Sequence, residues 1–211
     1  MTLDRFFPPQ AQRQVEEAVR AAEGRSTGQI VPVVVERSGR YPESRWMAAV
    51  AVAALATLVV DLAFPGLTVR ELPFLQLAGG ILGALLGGWE PVERLLAGRR
   101  EMELAARARA EQAFLQHGLH RTAQGTGVLV FASLREHQAV VLGDAGIHAR
   151  MGDAEWRRAV EALLAGIRAG TPAGGFVAAI GVVGDRLAEH FPRSSGEAAT
   201  NELPDALRRD S

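Results

Sequence analysis

Apolar residues follow three different patterns along this chain. Near the N-terminus they recur at helical spacing: Val15, Ala18, Val19 and Ala22 share one face, while Arg13, Glu16, Glu17 and Arg20 lie elsewhere. From Ile30 to Val35 (IVPVVV) they are continuous and β-branched, the pattern of a strand covered on both faces. Pro32 cannot donate to a ladder, so it predicts a sheet edge or a bulge there. From Trp46 to Phe64 and from Pro73 to Trp89 they run on for the length of a helix, broken by one charge, Asp61. Each run makes a helix of about 26–28 Å, close to a hydrocarbon core of about 30 Å. Pro65–Leu72 holds the Pro and Gly that turn the chain between them. These two runs predict a transmembrane hairpin over 46–64 and 73–89; two buried core helices are the alternative.

The hairpin has small faces to pair. Gly79, Gly83 and Gly87 recur every four residues, as do Ala49, Ala53 and Thr57. Close backbone approach is what helix pairing in lipid requires. Trp46 and Trp89 fall at one end, where indoles favour the interface. The chain has no Lys. Its arginines flank the hairpin (Arg37, Arg40 and Arg45 before it; Arg94, Arg99 and Arg100 after), with only Arg70 in the turn. That asymmetry predicts a cell-membrane protein with two spans, both termini and the soluble part cytoplasmic.

Beyond the hairpin, Arg99–His117 reads as a helix with Glu103 and Arg107 spaced for an i,i+4 pair, ended by Gly118. Val128–Ala132 and Gln138–Leu142 read as strands joined by the turn Leu134–His137. Asp144–Met151 reads as a loop, and Asp153 as the N-cap of a helix burying Trp156, Val160, Leu163, Leu164 and Ile167. Thr171-Pro172 opens the last helix, which buries Phe176, Ile180, Val183, Leu187 and Phe191. Residues 194–211 are small, polar and charged, and predict a disordered tail. The sum is α/β: a small mixed sheet flanked by helices and split by the inserted hairpin, the first strand parallel to Val128–Ala132. Residues 1–45 and 99–193 then form one discontinuous domain.

Composition narrows the function. A net charge of −1 argues against nucleic acid as a partner. The absence of Cys excludes disulfides and thiolate metal sites. There is no phosphate-binding P-loop, no HExxH, no GxSxG, and no GxGxxG after a strand. His117 and His120 stand three apart, but Gly118 breaks their helix, and two histidines leave a zinc site short of ligands. The loop after the strand hairpin offers three metal-ligating side chains within ten residues: Asp144, His148 and Asp153, among Gly143, Gly146 and Gly152. Capping and turn roles for the same residues are the plainer reading. An imidazole among two carboxylates favours zinc over calcium, so no cofactor or a divalent metal, zinc before calcium, is expected.

Three stretches, AEGRSTGQIVPVVVERSGRY, TGVLVFASLREHQAVVLGDAGIHARMGDAEW and AGTPAGGFVAAI, resemble the TPM domain. That family is named for thylakoid-lumen acid phosphatase-like proteins, a photosystem II assembly protein and a receptor auxiliary subunit. The likeness is greatest to bacterial membrane members whose domain a hydrophobic hairpin splits. It implies a sheet flanked by helices, calcium near the Gly-rich loop in some members, and acid phosphatase activity in some. Asp153 matches a family Asp; His148 and Gln29 stand where acidic residues are common. The expectation is a membrane-anchored TPM-like domain acting on another membrane protein or complex as an accessory or regulatory factor, with the lipid bilayer as its other partner. A metal-assisted acid phosphatase is the alternative, with the catalytic residues unknown.

Overall fold

The computed structural model describes residues 3–63, 72–122, 124–148, 150, 152–193 and 203–210; the side chains of His148 and Asp153 lie outside the described set. In chain order the elements are α1 (Leu3–Phe6), α2 (Pro9–Glu23), β1 (Gln29–Val35), α3 (Pro42–Ala63), α4 (Leu72–Gly87), α5 (Glu90–Leu96) and α6 (Arg99–Gln116). There follow β2 (Gly127–Ser133), β3 (Gln138–Gly143), α7 (Ala145–His148), α8 (Asp153–Arg168), α9 (Pro172–His190) and β4 (Arg208–Asp210). The chain divides into two units: Gly39–Met102, and Met1–Ser38 with Glu103–Ser211.

The second of these is built on a mixed sheet in the order β3-β2-β1-β4. β1 runs parallel to β2, with Gln29 opposite Gly127 and Val35 opposite Ser133, and β2 is antiparallel to β3. Alternation along the strands decides which core each residue enters. Ile30, Val34, Val128, Val130 and Ala132 pack on one face with Val15 and Val19 of α2, Leu163 of α8, and Phe176, Ile180 and Val183 of α9. Val31, Val33, Val35, Leu129 and Phe131 pack on the other with Ala106, Ala110 and Ala113 of α6. Since both faces are covered, β1 and β2 are buried throughout and read as unbroken apolar runs.

Several expectations are corrected. The tail is not disordered throughout: β4 pairs parallel with β1, Arg208–Asp210 opposite Val33–Val35. Three charged residues carry no apolar signal, and tertiary contacts rather than propensity place them. β1 is therefore an edge only over Gln29–Pro32, the half where Pro32 lacks its N–H. Gly152, not Asp153, occupies the N-cap of α8, and Asp153 is its first residue. The loop after β3 contains the helical turn α7. Arg107 pairs forward with Glu111, at 3.1 Å.

The other unit is a helical hairpin followed by α5. α3, at 22 residues, is long and apolar enough to cross a membrane; α4 meets that test only together with α5, to which it is bent by 95°. The second apolar run thus ends at Gly87 rather than Trp89: Gly87 and Gly88 break the helix, and Pro91 begins α5 in its first turn. Residues 64–71 of the connection lie outside the described residues. α3 and α4 pack through their small residues. A Cβ on Gly79 would stand 3.1 Å from Ala53 Cα, and one on Gly87 2.7 Å from Arg45 Cα. At Gly83 it would meet Ala48 O and Ala49 Cα, the latter at 2.6 Å. The Ser44 hydroxyl, fully buried, lies 2.7 Å from Tyr41 O and 3.2 Å from Gly87 O.

Candidate functional site

The glycine-punctuated loop is held at the start of β2 and the end of β3. Asp144 donates its backbone N–H to Gly127 O at 2.9 Å, and its Oδ1 accepts the N–H of Ala145 at 2.7 Å, opening α7. The glycines here meet close neighbours. A Cβ at Gly143 would strike the Trp156 ring at 2.6 Å, and one at Gly146 would lie 2.9 Å from Gly125 O. Arg150 donates to His190 O at 3.1 Å and places its guanidinium 4.9 Å over the Phe191 ring. Of the three expected ligands, Asp144 alone has a described side chain. Among the described residues no three His, Asp or Glu side chains converge on a point. Asp144 retains Oδ2 for a ligand, while its Oδ1 holds the turn.

His117 and His120 are drawn into separate contacts. His117 Nε2 lies 3.1 Å from Asp210 Oδ2, tying α6 to β4, and Arg121 Nε donates to His120 Nε2 at 3.2 Å. At the far end of β2, the buried Glu136 joins β1 to the β2–β3 turn. Its Oε1 accepts the Ser38 N–H at 3.0 Å, and its Oε2 accepts the Ser133 hydroxyl. Beside that turn, a cavity of about 420 Å³ is lined by Arg5, Phe6, Leu134, His137, Ile167 and Arg168 among others. His137 supplies the turn at a φ of 52°, in the left-handed region.

A carboxyl pair absent from the sequence reading lies at the end of α2. Glu23 is 7% exposed, and its Oε1 accepts the N–H of Ile30 at 2.7 Å. Burial, opposed by that hydrogen bond and by Arg193, and aided by the charge and hydrogen bond of Asp205, pushes its carboxyl from 4.5 to about 7. Asp205 in turn lies 3.6 Å from Arg20 Nε. One signal was available: a carboxylate in the last turn of a helix opposes the dipole, so it marks a residue held there for another reason.

Residues 95–186 match the model of the TPM domain, a span running from the end of α5 through most of α9. None of the curated proteins matches the chain. Among solved structures, the BA42 protein from the psychrophilic bacterium Bizionia argentinensis superposes with a TM-score of 0.62 at 17% identity, over 99% of each chain. That likeness is one of fold. The family match covers residues 95–186, with their helix, strand hairpin, glycine-rich turn and closing helix pair, and this part of the chain is similar to the TPM domain.

Proposed function

We propose that this chain is a membrane-anchored TPM-type domain that serves another membrane protein or complex as an accessory or regulatory factor. The observation that carries the reading is where the exposed apolar side chains lie. Among the described residues, Trp46, Val50, Leu62, Phe74, Leu77, Leu85 and Trp89 are each more than 60% exposed and lie in the helical hairpin or just past its end, whereas outside it only Leu95 of α5 and Leu115 of α6 are as exposed. Patches of that extent on a water-soluble surface are rare and mark contact with lipid or protein. The two indoles at one end of the hairpin suit the headgroup layer, and the arginines on that side favour a cytoplasmic setting for both termini. The buried glycine face pairs the helices with each other, which leaves the outer faces for lipid and for a partner.

Resistance of the full chain to alkaline extraction from membranes, with reporter fusions at both ends and between residues 64 and 71, tests the anchor and its orientation. Release into the soluble fraction, or an exported C-terminus, overturns it. Native-membrane pull-down then names the partner. Assay of the purified chain on a generic phosphoester with divalent ions is the counter-test: turnover lost in Asp144→Asn would establish a phosphatase instead.

A further inference from the structure

The C-terminal segment Leu203–Asp210 is held against the sheet unit by a series of specific contacts. The N–H of Leu203 donates to Gln29 Oε1 at 3.1 Å, and Leu207 is buried. Arg209 donates to Asp4 at 2.6 Å and to Phe7 O at 2.7 Å. Asp210 meets His117, and Arg208–Asp210 complete the sheet beside Val33–Val35. Between these anchors Asp205 meets the buried Glu23. Two carboxyls in contact, one buried and one half-buried, cannot both ionise without repulsion; one must keep its proton to donate to the other.

We propose that Leu203–Asp210 is a latch on the edge of β1 whose seating is controlled by a proton shared between Glu23 and Asp205. The groups facing the pair are Arg20 from α2, the Ile30 N–H from β1 and Arg193 after α9. The arginines soften the repulsion, and the backbone donor favours the charged carboxylate, yet burial outweighs them and Glu23 titrates near 7. When the segment lifts, Glu23 gains water and loses Asp205, so its carboxyl returns toward 4.5. The latched state therefore binds the extra proton. Its advantage is complete below about 4.5, is lost as pH rises through about 7, and is level above that. Lifting the latch bares the N–H and C=O groups of Val33–Val35, a sheet edge able to take another strand.

Hydrogen exchange of the C-terminal amides in the full chain, corrected for the intrinsic dependence of exchange on pH, reads the latch directly. Protection of residues 207–210 should fall about tenfold between pH 5.5 and 7.5, within the limit of tenfold per pH unit set by one proton. Glu23→Gln keeps an acceptor for Ile30 and a donor for Asp205, and should hold the protection constant. Asp205→Asn, which lies in the segment rather than the core, should shrink the fall. His117→Asn removes the imidazole that meets Asp210 and should leave the fall in place. Protection that does not change with pH in the wild type overturns the latch. So does a fall that survives Glu23→Gln, one that is undiminished in Asp205→Asn, or one that vanishes in His117→Asn.

Discussion

The two units of this chain use large apolar side chains in opposite ways. In the sheet unit Phe7, Phe131 and Phe176 are wholly buried; in the helical unit Trp46, Phe74 and Trp89 are 73%, 75% and 63% exposed. The small residues are reversed as well. The sheet unit buries its large side chains around a β-branched sheet, whereas the hairpin buries Gly79, Gly83 and Gly87 and turns its leucines outward. Water drives the first arrangement, since apolar area removed from it stabilises the fold. The second is the arrangement that the proposed membrane anchor requires, with close backbone contact holding the helices together in surroundings as apolar as leucine. One sequence thus follows two burial patterns, and the border between them falls near Ser38 and Met102.

Truncation should expose that contrast most strongly. Phe176 packs edge-on to Phe7 at 5.9 Å in the closed core. Phe176→Ala should cost the sheet unit about 3–5 kcal/mol in denaturant unfolding of the full chain. Leu85→Ala, at a site 72% exposed, should change the same transition by less than about 0.5 kcal/mol. A large loss from Leu85→Ala would mean that the hairpin's outer face is part of the sheet unit's core.

Enlarging a small residue tests the hairpin's own rule. A side chain at Gly83 meets the backbone of Ala48 and Ala49, which cannot move aside as a flexible side chain would. Gly83→Leu should destabilise the paired helices by about 1–3 kcal/mol, seen as a lower midpoint for hairpin melting in detergent. The oligomeric state should not change. Loss of a dimer with the monomer fold intact would place this glycine face between two chains.

At the open end of the hairpin the pairing is polar. Ser44 is buried with its hydroxyl near Tyr41 O and Gly87 O. Ser44→Ala should cost about 1 kcal/mol in that melting experiment, the ordinary net value of one buried hydrogen bond. An unchanged midpoint would show that glycine packing alone sets the hairpin's stability.

Legibility in the sequence followed how each element earns its place. β1 and β2 are continuous apolar runs bounded by turn residues, so strand type and full burial were readable, as was the order of elements that carries the family likeness. α8 and α9 announce their buried faces through Trp156, Leu163 and Ile167, and through Phe176, Ile180 and Val183. β4 was not readable, because Arg208-Arg209-Asp210 is seated by Asp4, the Phe7 carbonyl and His117, which lie far away in the chain. The Glu23–Asp205 pair was hidden for the same reason. Its two carboxyls are 182 positions apart, and only folding brings them together and buries Glu23. In the loop, the glycine spacing was readable, whereas the commitment of Asp144 Oδ1 to Ala145 depends on the turn that α7 makes.

The smallest effect concerns that loop, and it asks whether the sheet unit carries metal chemistry that the hairpin lacks. Calcium takes six to eight oxygens, usually including several carboxylates. Asp144 offers one carboxylate with an oxygen already bound to a backbone N–H. Arg150, six residues on, adds a positive charge to the loop, although its guanidinium is turned to His190 O and Phe191. Asp153 adds a second carboxylate to the sequence of the loop, and His148 adds a nitrogen, which suits zinc better than calcium. Calorimetric titration of the full chain should therefore show weak or no calcium binding, and any divalent affinity should favour zinc. Asp144→Asn should lower a zinc affinity while leaving Phe176-dependent stability unchanged, because Asn can still accept the Ala145 N–H. Tight calcium binding lost in Asp153→Asn would reverse this reading: it would show that an oxygen-rich site forms around the loop in spite of the imidazole at His148.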